Sequence, residues 1–598
     1  MKKNYCYWMV LLALLLGGCT DNEVGPGKEH NPDAIKDAYT SVTIQLPTVK
    51  GMSKVTTVNT DDGTANEYAV KDLTLLFFST PNGEEGSGTS VSEGDYVLSE
   101  VISTIPGLST GTSSLSPSVI PSESALGTSK SFKTGAIAVS KNYVRVLALV
   151  NASKVTELAT GILNIGSSFK DINKAVTLVS IGHLAGGTDH TGGFLMVSAP
   201  LLNQTSNEVT TLYVCDPKPS ADEATNNPVR MQVERIVAKV ELKIKDALYV
   251  EDADGKYYVT VDEGSHKGDK INILGWTLGN TNTQVFPFRV AKGGWKTEFT
   301  KVWNAMHTNE RLHWAEDPNY NYSGASWPAG TFSTPSTVET STPTADNKDT
   351  WKKKVEYCLE NTCHYSKMYR SQVTRVIVKA EYIPAATASV AGGNNTKDDD
   401  GTWWSFTSVA AHYSATNLYI NLFDKLKQEI GDGPNAPNSV TVDNNKLGAS
   451  GGGWSVKLAT VDDMPSHYRI ASASYTKGEG STINVTSEAI NSFDKKYGQI
   501  QKYDKGICYY DIFIRHFTNI EGGYDADWQN TNGYAAEQEG RYGVVRNNWY
   551  IITINSIRQQ GEPNIPIDKE IPVDVENAYI DCDITITPWA KREQGADL

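Results

Sequence analysis

The chain is short of the residues that carry most identifiable chemistry. Only seven of its 598 residues are cysteine; Cys6 lies in an apolar N-terminal stretch and Cys19 closes it. Cys215, Cys358, Cys363, Cys508 and Cys582 remain, an odd set that excludes a complete disulfide framework and leaves stability to buried cores. Cys358 and Cys363 are spaced either to pair locally or to stay as free thiols. His364 beside them makes no zinc site, because a second ligand pair at suitable spacing is missing. Positive charge is also scarce. The formal net charge is −15, with no basic stripe to neutralise phosphates, so nucleic acid is excluded as a partner. After the N-terminal stretch no segment reaches the roughly 18 apolar residues of a membrane helix.

Strings that look catalytic or ligand-binding lack their context. Gly448-Ala449-Ser450-Gly451-Gly452 fits the nucleophile-elbow string, yet no apolar strand precedes it and no amphipathic helix follows. Asp252-Ala253-Asp254-Gly255 and Asp398-Asp399-Asp400-Gly401 look like calcium-loop fragments without the closing bidentate glutamate, and read as hairpin turns. His183 and His190 flank Gly186-Gly187 with no third ligand indicated. Trp403-Trp404, Tyr320 and Tyr322 read as core plugs in preference to a sugar platform. No enzyme activity, cofactor or metal site is expected.

What is present starts with Lys2 and Lys3, an apolar run from Met9 to Leu16, and then Gly17-Gly18-Cys19. A basic start, a short apolar core and small residues before a cysteine form a bacterial lipoprotein signal. Residues 1–18 are expected to be removed between Gly18 and Cys19, with lipid on the Cys19 thiol. The polar stretch from Thr20 to about Asp37, with Gly25, Pro26, Gly27 and Pro32, reads as a flexible tether.

From Ser41 to Leu46 the chain alternates, Val42, Ile44 and Leu46 on one face and Thr43 and Gln45 on the other, which predicts a half-buried strand. Lys50 and Lys54 stand where the turn-rich stretch to Glu67 begins. Further strands are predicted at Leu73 to Phe78, Val144 to Val150, Phe194 to Val197 and Leu212 to Val214. The polar segment from Pro81 to Thr134 reads as one long insertion, and helical spacing occurs between Val155 and Val179. A linker-like Asn226-Asn227-Pro228, taken as a domain boundary, precedes one alternating strand from Val233 to Ile244 with a bulge near Ile236. Later strands fall at Ile271 to Leu278, Val373 to Ile383, Leu418 to Leu422, Cys508 to Arg515, Trp549 to Ile557 and Ala578 to Thr587. The expected organisation is all-β: a propeptide over 19–54 carrying the first strand, then two β-sandwich domains over 55–230 and 231–598, with long loops and short helices.

The C-terminal segment repeats the pattern of the first strand. Ile580, Cys582, Ile584 and Ile586 share one face while Asp581, Asp583, Thr585 and Thr587 share the other, so one strand could stand in for the other.

Val545-Arg546-Asn547-Asn548-Trp549-Tyr550-Ile551-Ile552-Thr553-Ile554 and Ile584-Thr585-Ile586-Thr587-Pro588-Trp589 resemble the closing signatures of the Bacteroidales fimbrillin family, the type V pilins. Cys508-Tyr509-Tyr510, Val233-Glu234-Arg235-Ile236-Val237-Ala238-Lys239 and Leu73-Thr74-Leu75-Leu76-Phe77-Phe78 extend the resemblance, which is nearest to the shaft subunit of minor (short) fimbriae. It implies transthyretin-like, Greek-key sandwiches and a lipidated precursor held at the outer membrane. A trypsin-like protease would cut after Lys54 or Lys50, removing the strand from Ser41 to Leu46. The segment from about Ala578 would then be donated to the next copy of the chain. The implied partners are other copies in a head-to-tail filament at the cell surface, with fimbrial anchor and accessory tip subunits. A fimbrial tip adhesin, a monomeric glycan-binding surface lipoprotein and a secreted hydrolase are the alternatives. A tip subunit would have no use for a spare C-terminal strand, and a glycan binder none for a cleavable loop behind its first strand.

Overall fold

The computed structural model describes residues 35–588 except 48–64, 83–90, 123–129, 155–162, 341–353, 386–395, 518–533 and several shorter stretches. Gly18, Cys19, Lys50 and Lys54 lie outside the described residues.

The N-terminal half is built on one eight-stranded sheet. Its order is Val97–Ser103, Leu73–Ser79, Arg145–Val150, Met196–Ser198, Val229–Arg235, Val42–Gln45 and Ser131–Lys133, with Tyr213–Val214 also paired to Arg145–Val150. Every residue of Leu73–Ser79 is buried, as its uninterrupted apolar run demands of a strand covered on both faces. Leu73, Leu75 and Phe77 pack into one core with Val42, Ile44, Leu46, Val146 and Met231. Leu76 and Phe78 pack into a second core on the other face, with Phe169, Phe194 and Phe288. The predicted insertion from Pro81 to Thr134 is corrected here: Val97–Ser103 forms a full edge strand against Leu73–Ser79, its Leu98, Val101 and Ile102 buried.

At Ile236 the chain crosses from this sheet to the next. Val229–Arg235 belongs to the N-terminal sheet, and Val237–Ile244 to a four-stranded sheet ordered Val355–Leu359, Val237–Ile244, Asn548–Ile557, Ile580–Pro588. A five-stranded sheet, Tyr249–Glu251, Tyr257–Thr260, Lys270–Gly279, Arg375–Ile383 and Ile507–Phe513, closes over it. Between them lies a core that includes Val240, Leu242, Trp276, Val378, Tyr510 and Ile552. The all-β class read from the sequence holds.

Between Arg375–Ile383 and Ile507–Phe513 the chain builds a third sheet spanning Trp403 to Tyr503. The predicted strand from Leu418 to Leu422 is instead part of the helix Ala415–Ile430. Ser414 caps its first turn and Gly431, at φ 73°, ends it. Leu418, Leu422 and Leu426 recur at helical spacing and bury one stripe against Trp404, Trp454 and Phe493. The short apolar run alone was ambiguous; the caps on either side decide it. Trp403, Trp404 and Tyr320 are buried, Tyr322 is half-buried, and Gly448–Gly451 is a hairpin strand against Trp454–Val461 in place of a strand-to-helix elbow.

Cys215, Cys358, Cys363 and Cys508 are free and buried. The reading of Cys358 and Cys363 as a local disulfide is therefore not met. Cys358 faces the sandwich core, whereas Cys363, beyond the end of its strand, packs with Met368, Val373 and Phe513 in a separate cluster. Burial pushes the thiols of Cys215 and Cys508 up to about 12, which leaves them uncharged and unreactive.

The junction around Ile236 is polar and dry. Glu234 receives a two-pronged bond from Arg289, at 3.0 and 2.6 Å. Lys239 Nζ reaches Glu67 Oε1 at 2.7 Å. Arg546 meets Glu360 at 3.1 Å with both side chains 1% exposed, and also donates to the carbonyls of Phe286 and Pro287. Removing one partner strands a charge out of reach of water. Arg546→Ala should lower unfolding free energy by about 3–5 kcal/mol, read from urea denaturation; a loss below about 1 kcal/mol would show that Glu360 finds another partner.

Candidate functional site

The first predicted strand is observed as Val42–Gln45, preceded by Ala38–Thr40. It is an interior strand. On one side it runs parallel to Val229–Arg235, with Val42 opposite Val229 and Ile44 opposite Met231. On the other it runs antiparallel to Ser131–Lys133, with Ile44 opposite Phe132. Backbone bonds fasten both margins: Val229 N to Ser41 O at 2.8 Å, Thr134 N to Val42 O at 2.9 Å and Leu46 N to Lys130 O at 3.0 Å. The Thr134 hydroxyl accepts from Val42 N at 2.9 Å.

The alternation does what its period dictates. Val42, Ile44 and Leu46 are each 0% exposed, while Thr43 and Gln45 are half-buried. Withdrawing this strand would uncover roughly 1.5–3 kcal/mol of apolar burial per side chain. It would also leave two facing rows of backbone groups, one on Val229–Gln232 and one on Ser131–Lys133, separated by the width of a strand.

The C-terminal segment is observed as Ile580–Pro588. It lies at the edge of the four-stranded sheet and runs antiparallel to Asn548–Ile557. Ile580, Cys582, Ile584 and Ile586 sit opposite Ile557, Ile554, Ile552 and Tyr550, and Ile584 is partly buried against the sandwich core. An edge strand leaves by breaking one ladder; an interior strand breaks two. The two segments occupy different sheets, so within one subunit the tail stands apart from the slot whose occupant it resembles.

The motif residues have a structural place as well. Asn547, at φ 60°, turns the chain into Asn548–Ile557. Its side chain accepts from Arg235 N at 3.2 Å and its backbone N–H donates to Val237 O at 2.9 Å. The string from Val545 to Trp549 thereby meets the string from Val233 to Lys239 across the junction of the two halves, a pairing that no local sequence signal announces.

Residues 501–595 match the family model described as "Major fimbrial subunit protein type IV, Fimbrillin, C-terminal". The match spans Ile507–Phe513, Asn548–Ile557 and Ile580–Pro588. No curated protein matches the chain by sequence. Among solved structures, similarity is found to a fimbrilin from Porphyromonas gingivalis W83, at 13% identity over 94% of this chain and 100% of that one, TM-score 0.34. The tip fimbrial protein Mfa3 from Porphyromonas gingivalis, with C-terminal truncation, gives 14% identity over 92% of this chain and 99% of that one, TM-score 0.27. A Parabacteroides distasonis protein provisionally described as a cell adhesion protein gives 12% over 94% and 99%, TM-score 0.35.

The burial of Ile44 makes the strand's contribution to the sheet testable. Ile44→Ala should destabilise the chain by about 2–5 kcal/mol, the range for a fully packed isoleucine, measured by thermal or urea unfolding. A change under about 0.5 kcal/mol would mean that the strand is dispensable to the sheet.

Proposed function

We propose, for a chain whose residues 501–595 match the fimbrillin C-terminal family model, that it is a subunit of a fimbrial shaft, exported as a lipoprotein precursor and polymerised by strand exchange. The observation that carries the reading is the pairing of an interior strand, Val42–Gln45, with an edge strand of matching alternation, Ile580–Pro588.

Cys19 tethers the precursor to the outer membrane in this scheme. While the first strand is seated, the slot is filled and the subunit stays monomeric. Cleavage after Lys54 or Lys50, in the polar stretch behind the strand, lets Ser41 to Leu46 leave. The vacancy then presents an apolar floor and two unpaired margins, which recruit an extended segment. The tail from about Ala578 to Leu598 of another copy supplies Ile580, Ile584 and Ile586 to the floor and its backbone to both ladders. Slot and tail lie on different sheets, so the contact is heterologous and each addition leaves one slot and one tail free. Such a contact propagates as an open filament. The tip and anchor subunits of the fimbria would cap the two ends, and the mature position is the cell surface.

The tail is the place to break it. Ile584→Asp would set an unpaired carboxylate in an apolar channel, a penalty of several kcal/mol, and should abolish filaments. Deletion from Ala578 to Leu598 should do the same, and Thr585→Asp, on the opposite face, should be tolerated. Electron microscopy of sheared surface material reads the outcome, with circular dichroism confirming that the subunits are folded. Filaments of normal length from a folded, tail-deleted chain would refute the donor role and favour a monomeric surface lipoprotein.

A further inference from the structure

Where the inserted sheet joins the sandwich, three ionisable side chains from two distant parts of the sequence meet in the interior. His266 and Asp269 stand just ahead of Lys270–Gly279, and His412 lies on Val409–Tyr413 of the inserted sheet. They are 7%, 3% and 8% exposed. One potential ligand atom from each falls within 4.8 Å of the other two.

The spacing is longer than that of a well-formed hydrogen bond and close to that of two ligand atoms on a shared cation. His266 Nδ1 is 3.5 Å and His412 Nδ1 is 3.8 Å from the same oxygen, Asp269 Oδ2. An N–H···O bond would draw each pair to about 2.7–3.2 Å. Bond lengths of about 2.0–2.1 Å at tetrahedral zinc place neighbouring ligand atoms about 3.4 Å apart.

The surroundings match those of a ligating carboxylate and imidazole. Asp269 is oriented by two donors, Tyr382 Oη to Oδ2 at 2.5 Å and Ala385 N to Oδ1 at 2.7 Å. The His412 imidazole also meets the buried side-chain amide of Gln560. With Nε2–H directed at the Gln560 side-chain carbonyl, the Nδ1 lone pair faces Asp269. A lone pair set against a carboxylate is repulsive until a cation comes between them. Trp403, edge to face with His412 at 4.6 Å, walls the cluster.

We propose that His266 Nδ1, Asp269 Oδ2 and His412 Nδ1 bind one divalent transition-metal ion of the zinc class, which staples the inserted sheet to the sandwich. Two imidazoles and one carboxylate suit Zn²⁺ and exclude the all-oxygen preference of Ca²⁺ and Mg²⁺. A water completes the tetrahedron. Tyr382 and Gln560 act as positioning residues through Asp269 and His412. The site is independent of the strand-exchange scheme.

The test uses the full chain, stripped with chelator and reloaded with Zn²⁺ or Co²⁺. One ion per chain by elemental analysis, a rise in unfolding temperature on Zn²⁺ addition, and a tetrahedral visible spectrum with Co²⁺ are expected. His266→Gln/His412→Gln should lose the stoichiometric ion and the thermal response, with circular dichroism reporting its fold. Tyr382→Phe should weaken Zn²⁺ by about 10–100-fold. If the double variant fails to fold, X-ray absorption on the zinc-loaded wild type decides: two imidazoles and oxygen support the site, and sulfur ligands overturn it. Absence of binding by the folded wild type, or an unchanged stoichiometric ion in the folded double variant, also overturns it.

Discussion

The Val42–Gln45 strand is the constraint on which the N-terminal half depends. It is held by ladders on both margins, to Val229–Arg235 and Ser131–Lys133, and its three inward residues sit in the floor of the core that also contains Leu75, Phe77 and Val146. An interior strand contributed by the N-terminal part of a chain is an unusual risk, because its loss opens a sheet in the middle. In the proposed scheme, a tail with the same period at an edge turns that risk into a means of assembly. The energetics favour exchange over simple loss: an empty slot forfeits both apolar burial and paired backbone, and an incoming strand restores both.

A filament subunit of the proposed kind also requires that pulling on one end be felt at the other. The junction at Ile236 provides this without a flexible linker. Consecutive strands of one chain enter two sheets there, and three buried ion pairs, Glu234 with Arg289, Lys239 with Glu67 and Glu360 with Arg546, bridge the surrounding segments. Such pairs add little net stability against apolar substitutes, but their geometry is specific. Asn547 adds a directional hydrogen bond from the closing motif to the strand before the crossing. Slot and tail are thereby parts of one continuous framework.

Much of this was legible in the sequence wherever one period ran without interruption. Leu73–Ser79, Lys270–Gly279, Arg375–Ile383 and Asn548–Ile557 were visible as apolar or alternating runs, whereas the irregularity near Ile236 reads in the sequence as a bulge within one strand and is in fact where the chain crosses between two sheets. The reading failed where composition hid a pattern. Val97–Ser103 was submerged in a serine- and glycine-rich stretch, and Leu418 to Leu422 was too short to separate helix from strand until Ser414 and Gly431 were weighed as caps. The site itself divided similarly. Val42, Ile44 and Leu46 announced their burial by alternation, but nothing local told that their strand would be interior and the tail an edge. His266, Asp269 and His412 were invisible as a group because only the packing of an inserted sheet on a sandwich brings them together.

The most direct measurement is the N-terminal sequence of subunits in filaments sheared from the cell surface. Strand removal requires chains that begin at Val55 or Gly51 and contain no peptide from Val42 to Leu46. Filament subunits that begin at Cys19 and retain that strand would contradict the scheme outright, since the slot would then be filled by its own chain throughout the polymer.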